Sequence, residues 1–162
     1  MPPLSRFEAE RFRYYILAAQ RLGSRQLNEY MKKINLTASQ SEVIQVLKQW
    51  GPVNLKDLGS LLVCETGSPS RLIDRMVEDG LVHKISDPKD ARYVLLQLTD
   101  LGREKYEKIV HFENTLHEDL GKLFSDEELS AVSVTLEKLL SHFPIAATLQ
   151  NRKLMKSPEE KS

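Results

Sequence analysis

Two arginine groups hold the most specific chemistry in this chain. Arg71 and Arg75 stand one helical turn apart in Ser68-Pro69-Ser70-Arg71-Leu72-Ile73-Asp74-Arg75-Met76, with the hydroxyls of Ser68 and Ser70 beside the first of them. Farther on, Asp87-Pro88-Lys89-Asp90-Ala91-Arg92 sets a carboxylate two positions before an arginine, on one face of an extended chain. A guanidinium stays charged and offers its donors in a planar fork, which suits phosphate oxygens and guanine edges. Serine hydroxyls both donate and accept. These are recognition groups, not groups that make or break bonds.

The spacing of apolar residues supplies the elements that hold them. A helix is predicted from Ser68 to Asp79, with Ser68 as N-cap and Pro69 at the first helical position, where its missing N–H costs nothing. Thr66 is the alternative cap. Gly80 ends the helix, Leu81 to Ser86 forms a strand, residues 87–92 turn, and Tyr93 to Leu98 returns. On the return strand Val94, Leu96 and Leu98 share one face, Tyr93, Leu95 and Gln97 the other.

Upstream, Thr37 with Gln40 and Ser39 with Glu42 offer overlapping capping boxes. The helix they open carries Val43, Val46, Leu47 and Trp50 in one stripe and stops at Gly51-Pro52. Asn54 caps a short helix bearing Leu55, Leu58, Leu61 and Leu62, with Lys56 at its start as a phosphate contact. Three helices followed by a hairpin make a winged helix-turn-helix, in which one helix enters the major groove and the hairpin meets the backbone or minor groove.

Long helices flank this lobe. The first runs from about Ser5 to about Ile34, with Phe12, Tyr15, Ile16, Ala19, Leu22, Leu27 and Tyr30 on one face. Thr99 caps a second, which carries Tyr106, Ile109, Phe112, Leu116, Leu120 and Leu123. Ser125-Asp126-Glu127-Glu128 opens a third, whose stripe ends at Phe143 before Pro144. The chain is therefore expected to be mainly α. Residues 1–36 and 100–146 form a dimerisation region, 37–99 the winged lobe, and 147–162 a polar tail that frays from about Asn151. A module of ~60 residues cannot cover so much apolar stripe, and a second copy of the chain is the simplest cover.

Composition narrows the class. The 162 residues are 41% hydrophobic and 28% charged, ordinary values for a water-soluble domain. The 23 basic residues are matched by 23 acidic ones, so charge alone does not suggest nucleic acid and placement has to. A lone cysteine, Cys64, excludes an internal disulfide framework. With no leader and no apolar run near the ~20 residues of a membrane span, a cytoplasmic protein without membrane contact is expected.

The whole pattern resembles the MarR family of bacterial transcription regulators, over roughly residues 5–146. The resemblance is carried by Ser70 to Met76, by Gly80-Leu81-Val82, by Asp87 to Arg92 and by Leu98-Thr99-Asp100-Leu101-Gly102, in this order. It implies a homodimer held by the first and last helices, two winged modules on a pseudo-palindromic site in double-stranded DNA, and often a small-molecule or redox signal. Such a protein is a regulator, most simply a repressor, and not an enzyme. Ser68, Ser70, Arg71, Arg75, Lys89, Asp90 and Arg92 are the expected DNA-contacting set, with Arg92 inserted in the minor groove and Asp90 supporting it. Asp74 and Glu78 are the competing partners of Arg75. Two positions depart from the family pattern: Pro69, usually aliphatic, and Ala91, often a second arginine.

Other chemistry is poorly supported. Tyr14, Tyr15 and Tyr30 on the first helix are candidate effector contacts, though tyrosines at helical spacing more often pack in a core or dimer. Cys64 precedes the predicted reading helix and is a candidate redox site, but it has no resolving cysteine in its own chain. His117-Glu118-Asp119-Leu120-Gly121 begins like a zinc-protease helix and lacks the second histidine. No metal or other cofactor is expected. The alternative function is a winged-helix protein-interaction module without sequence-specific DNA binding.

Overall fold

A computed structural model describes residues 3–64 and 69–161. The chain divides into two compact units, Met1–Ala38 and Ser39–Ser162. The first unit is a single long helix, α1 (Arg6–Lys33). Ser5 caps it, its Oγ accepting the Glu8 N–H at 3.1 Å. At the other end Asn35 turns left-handed (φ 57°), and the Leu36 N–H reaches back to the Met31 carbonyl at 2.9 Å. Leu4, Phe7, Phe12, Tyr14, Tyr15, Leu17 and Leu22 are exposed along it.

The second unit continues with α2 (Ala38–Trp50), α3 (Leu55–Gly59), α4 (Ser70–Glu78), β1 (Val82–Ser86), β2 (Val94–Leu98), α5 (Asp100–Leu123), α6 (Asp126–Leu140) and α7 (Ile145–Asn151). A short 3-10 turn, Pro158–Lys161, follows. Its core gathers Val43, Ile44, Val46 and Leu47 of α2, Leu58, Leu61 and Leu62 around the end of α3, Ile73 and Met76 of α4, and Leu81, Val82, Leu96 and Leu98 of the hairpin. Each such side chain contributes ~1.5–3 kcal/mol by leaving water. The strands pair antiparallel from Val82↔Leu98 to Ser86↔Val94. Val53 joins their edge, its carbonyl accepting the Leu96 N–H at 2.7 Å.

The joint between hairpin and α5 shows why two glycines sit where they do. Gly80 takes φ +72°, a left-handed turn that lets the chain leave α4 and enter β1. Thr99 then closes the loop: its N–H reaches the Leu81 carbonyl at 3.1 Å, its hydroxyl donates to the Gly80 carbonyl, and its Oγ1 accepts the Gly102 N–H at 3.0 Å. A Cβ on Gly102 would collide with the Leu81 carbonyl oxygen, so α5 approaches the hairpin at a distance only glycine allows.

Four expectations are corrected. Glu42 is not the partner in a capping box with Ser39; its carboxylate reaches the Cys64 N–H and Arg152. The stripe assigned to the third helix outlasts it: α3 ends at Gly59, and Leu61 and Leu62 are buried from the turn beyond. Pro69 stands at the N-cap of α4, one place earlier than expected. The tail does not fray at Asn151. Ala146 and Met155 are buried, and Arg152 is held by an ion pair. The caps Asn54, Thr99 and Ser125 are formed as the sequence predicts, the last as a complete box with Glu128. Among the described residues no helix is long and apolar enough to cross a membrane.

Candidate nucleic-acid interface

The helix α4 divides sharply in two. Ile73 and Met76 are fully buried and anchor it, while Arg71, Asp74, Arg75 and Glu78 face solvent. Arg71 and Arg75 pair with no carboxylate among the described residues. Of the two competing partners of Arg75, Asp74 is engaged elsewhere: its Oδ1 takes the Lys84 ammonium at 3.2 Å. That bridge ties α4 to β1 and leaves both guanidiniums available. Ser70 is half-buried at the first turn, and the Pro69 ring lies beside Gly59. Ser68 lies outside the described residues, as does Thr66. A cavity of about 230 Å³ lies among Leu55, Ser70, Ile73, Asp74, Lys84, Val94 and Leu96. Ordinary ligand pockets span ~300–1,000 Å³, so this one admits a fragment at most.

The hairpin tip is organised by two aspartates. Asp87 Oδ1 accepts the Lys89 N–H at 2.8 Å, an Asx turn that shapes the corner. Asp90 Oδ1 accepts the Arg92 N–H at 3.1 Å, and the Tyr93 N–H reaches the Asp90 carbonyl at 3.0 Å. The same Asp90 carboxylate grips the Arg92 side chain in a fork, with Nε to Oδ1 at 3.0 Å and Nη2 to Oδ2 at 2.7 Å. The pairing is as expected, but its cause is a turn and not an extended strand. Arg92 remains 86% exposed against 28% for Asp90, so the carboxylate is the anchor and the guanidinium the presented group. Bonds from the Arg92 side chain and then from its backbone N–H hold the Asp90 carboxyl below the usual carboxylate range. Lys89 is exposed beside this fork. Lys56, in the first turn of α3, is exposed too.

The remaining candidates are more scattered. Tyr14 and Tyr15 are exposed on α1, each with an arginine over its ring, Arg13 at 4.6 Å and Arg11 at 5.4 Å. About 24 Å of helix rise separates Tyr14 from half-buried Tyr30, so the three do not meet along α1. Partial burial first, and then the Glu42 carboxylate, push the Cys64 thiol up. A raised thiol forms less of the reactive thiolate, which weakens the case for Cys64 as a redox sensor. No three metal-ligating side chains gather among the described residues.

Residues 36–102 match the family model of a winged helix DNA-binding domain. The chain is 32% identical over 120 residues to the HTH-type transcriptional regulator YwoH of Bacillus subtilis, a match covering 74% of this chain and 87% of that one. It is 30% identical over 119 residues to the multiple antibiotic resistance protein MarR of Escherichia coli K12, covering 72% and 81%. The chain belongs to the MarR family. A crystal structure of an E. coli MarR variant complexed with operator DNA shares the fold, with a TM-score of 0.71, 27% identity, and coverage of 85% of this chain and 99% of that one.

As a MarR-family chain it is a transcription regulator with a winged helix DNA-binding domain and not an enzyme. Within that frame the departures at Pro69 and Ala91 have plain consequences. Pro69 is buried beside Gly59, filling the place of an aliphatic side chain. Ala91 is exposed between Asp90 and Arg92, so the tip presents one guanidinium there instead of two. Sequence reasoning gave no role to Lys84, whose bridge to Asp74 spans two elements, or to Arg152. A basic residue on the outward face of the strand after the reading helix was the available signal for Lys84. Arg152 had none, because its partner lies 110 positions away.

Proposed function

We propose that this MarR-family protein is a cytoplasmic homodimer that reads a pseudo-palindromic operator in double-stranded DNA and represses the genes beside it. The observation that carries the reading is the contrast in charge at the lobe's surface. Arg71 and Arg75 stand unpaired on α4 among the described residues, and Arg92 is aimed outward by Asp90. In this reading α4 enters the major groove, with Ser70 and Arg71 on base edges and Arg75 and Lys56 toward phosphates. Arg92 enters the adjoining minor groove, where a narrow A·T-rich stretch concentrates negative potential, and Lys89 lies on the backbone.

Dimerisation is supported by what the outer helices leave uncovered. Phe7, Phe12, Tyr15 and Leu22 of α1 are exposed, as are Leu116 and Leu123 of α5 and Leu129, Val132 and Leu139 of α6. Single exposed apolar residues are ordinary, but an apolar stripe along a long helix supports a second copy as its cover. Two copies present two readers, which must be spaced about one helical turn of DNA, ~34 Å, to bind one face. An effector that changes this spacing tunes affinity, and occupancy of a promoter excludes polymerase.

The test uses fluorescence anisotropy with duplex DNA from beside the protein's own gene and with a random duplex, at two salt concentrations, together with a solution mass. The expected result is a dimer that binds the first duplex more tightly, with affinity falling steeply as salt rises. A monomer, or no sequence preference at low salt, overturns the reading and favours a protein-interaction module.

A further inference from the structure

The segment after α6 reaches the DNA-reading lobe. Asn151 Nδ2 donates to the Ser60 carbonyl at 3.1 Å, and Arg152 Nη1 donates to the Leu61 carbonyl at 3.0 Å. The same Nη1 lies 3.3 Å from Glu42 Oε2, in a pair whose side chains are only 13% and 11% exposed. The other Glu42 oxygen, Oε1, accepts the Cys64 N–H at 2.9 Å. Arg152 also covers Trp50, 5.4 Å from the ring centre. Buried Ala146 and Met155 flank this polar group along the chain.

Three backbone atoms of residues 60–64 are thus held by side chains 22 and 91 positions away in the chain. This stretch leaves α3 and leads toward α4, and in a helix-turn-helix such a turn sets the angle of the reading helix. Carbonyls at the end of a short helix lack intrahelical donors, so their partners decide where the chain goes next. A buried ion pair adds little net stability over apolar packing, because desolvation offsets its attraction; its stronger effect here is on geometry. One nitrogen of the guanidinium, Nη1, serves both the carboxylate and the carbonyl, so the two are held at one point.

We propose that Arg152 and Asn151 are positioning residues for DNA reading: the C-terminal segment is a strut that holds residues 60–64, where the chain leaves α3. The proposal rests on the DNA-binding reading above. Only residues 141–144 separate α6 from α7, so the strut joins the reader directly to a helix outside the winged lobe.

The 162-residue chain carries its own reporter, because Trp50 is its only tryptophan. Arg152→Gln, Arg152→Lys and Asn151→Ala are compared with the parent for operator and random-duplex affinity, solution mass, circular dichroism and Trp50 emission. Asn151→Ala keeps the buried pair and so guards against a variant that fails to fold. Operator affinity is expected to fall about tenfold for Arg152→Gln and about threefold for Asn151→Ala, as charged and neutral hydrogen bonds are lost. Arg152→Lys recovers part of the loss. Random-duplex binding, mass and helix content stay as in the parent, while Trp50 emission shifts in Arg152→Gln. The proposal is overturned if folded variants with shifted Trp50 emission bind operator as the parent does. It is equally overturned if operator and random-duplex binding fall together in step with unfolding. A parent protein that shows no operator preference contradicts the functional reading instead.

Discussion

The reading helix and the wing tip present arginines by opposite means. On α4 the guanidiniums of Arg71 and Arg75 are left without carboxylates among the described residues, and the apolar anchors Ile73 and Met76 hold the helix beneath them. At the wing no core lies under Arg92, so a carboxylate does the anchoring, and the turn that Asp90 caps is the turn that aims the arginine. The helix can spare its acids because burial fixes its orientation. The hairpin tip cannot, and it gives up part of the positive field of Arg92 to gain direction.

The largest break in this comparison comes from the helix. Truncating Met76 or Ile73 to alanine opens a hole in a fully buried site and should destabilise the lobe by ~2–5 kcal/mol, measured by urea unfolding. Operator binding is lost with the fold. The wing should behave differently. Arg92→Ala should weaken operator binding about tenfold or more while leaving the solution mass and the unfolding midpoint unmoved, since an exposed pair adds little to stability. A gel-shift titration alongside thermal melting separates the two cases, and unchanged affinity removes Arg92 from the interface.

Smaller effects sharpen the contrast between the two helix arginines. Arg71→Ala should relax sequence preference at one operator position, whereas Arg75→Ala should weaken binding to all sequences and lower the salt slope by about one. Affinities measured across a set of single-base operator variants decide this. Equal effects on every base from both substitutions would make both of them phosphate contacts.

The smallest effect concerns pH. The Asp90 carboxyl is held below the usual carboxylate range by Arg92, so its pairing favours the folded tip fully above the unfolded value. That contribution fades as pH falls through the lower, folded value. A carbon-detected titration of Asp90 should therefore show a depressed midpoint that rises toward the ordinary range in Arg92→Ala, which keeps only the bond from the backbone N–H. No change on removing Arg92 would mean that the fork does not form in solution.

What the sequence disclosed follows the range of the interactions involved. Asn54, Thr99 and Ser125 each bond an N–H three residues ahead, so local pattern identifies them as caps. The Asp90–Arg92 pair is equally local and was legible, as was the turn over residues 87–92; the spacing did not disclose that the Asp90 carboxylate also takes the Arg92 N–H. Asp74 looked like a partner for its neighbour Arg75 until the hairpin brought Lys84 to it from the other side. Glu42 read as a capping residue for the same reason: local spacing offered one partner, and the fold supplied Arg152 from 110 positions away. The residues proposed to face DNA were read from their types and local spacing. The strut behind it was not.

The central claim is that α4 and the hairpin tip together form the surface that meets DNA. Amide hydrogen exchange of the protein, with and without its operator duplex, tests it most directly. Slowed exchange is predicted in peptides spanning residues 70–78 and 86–94, with residues 126–140 unchanged. Operator bound at saturation while those two segments exchange as in the free protein would contradict the account.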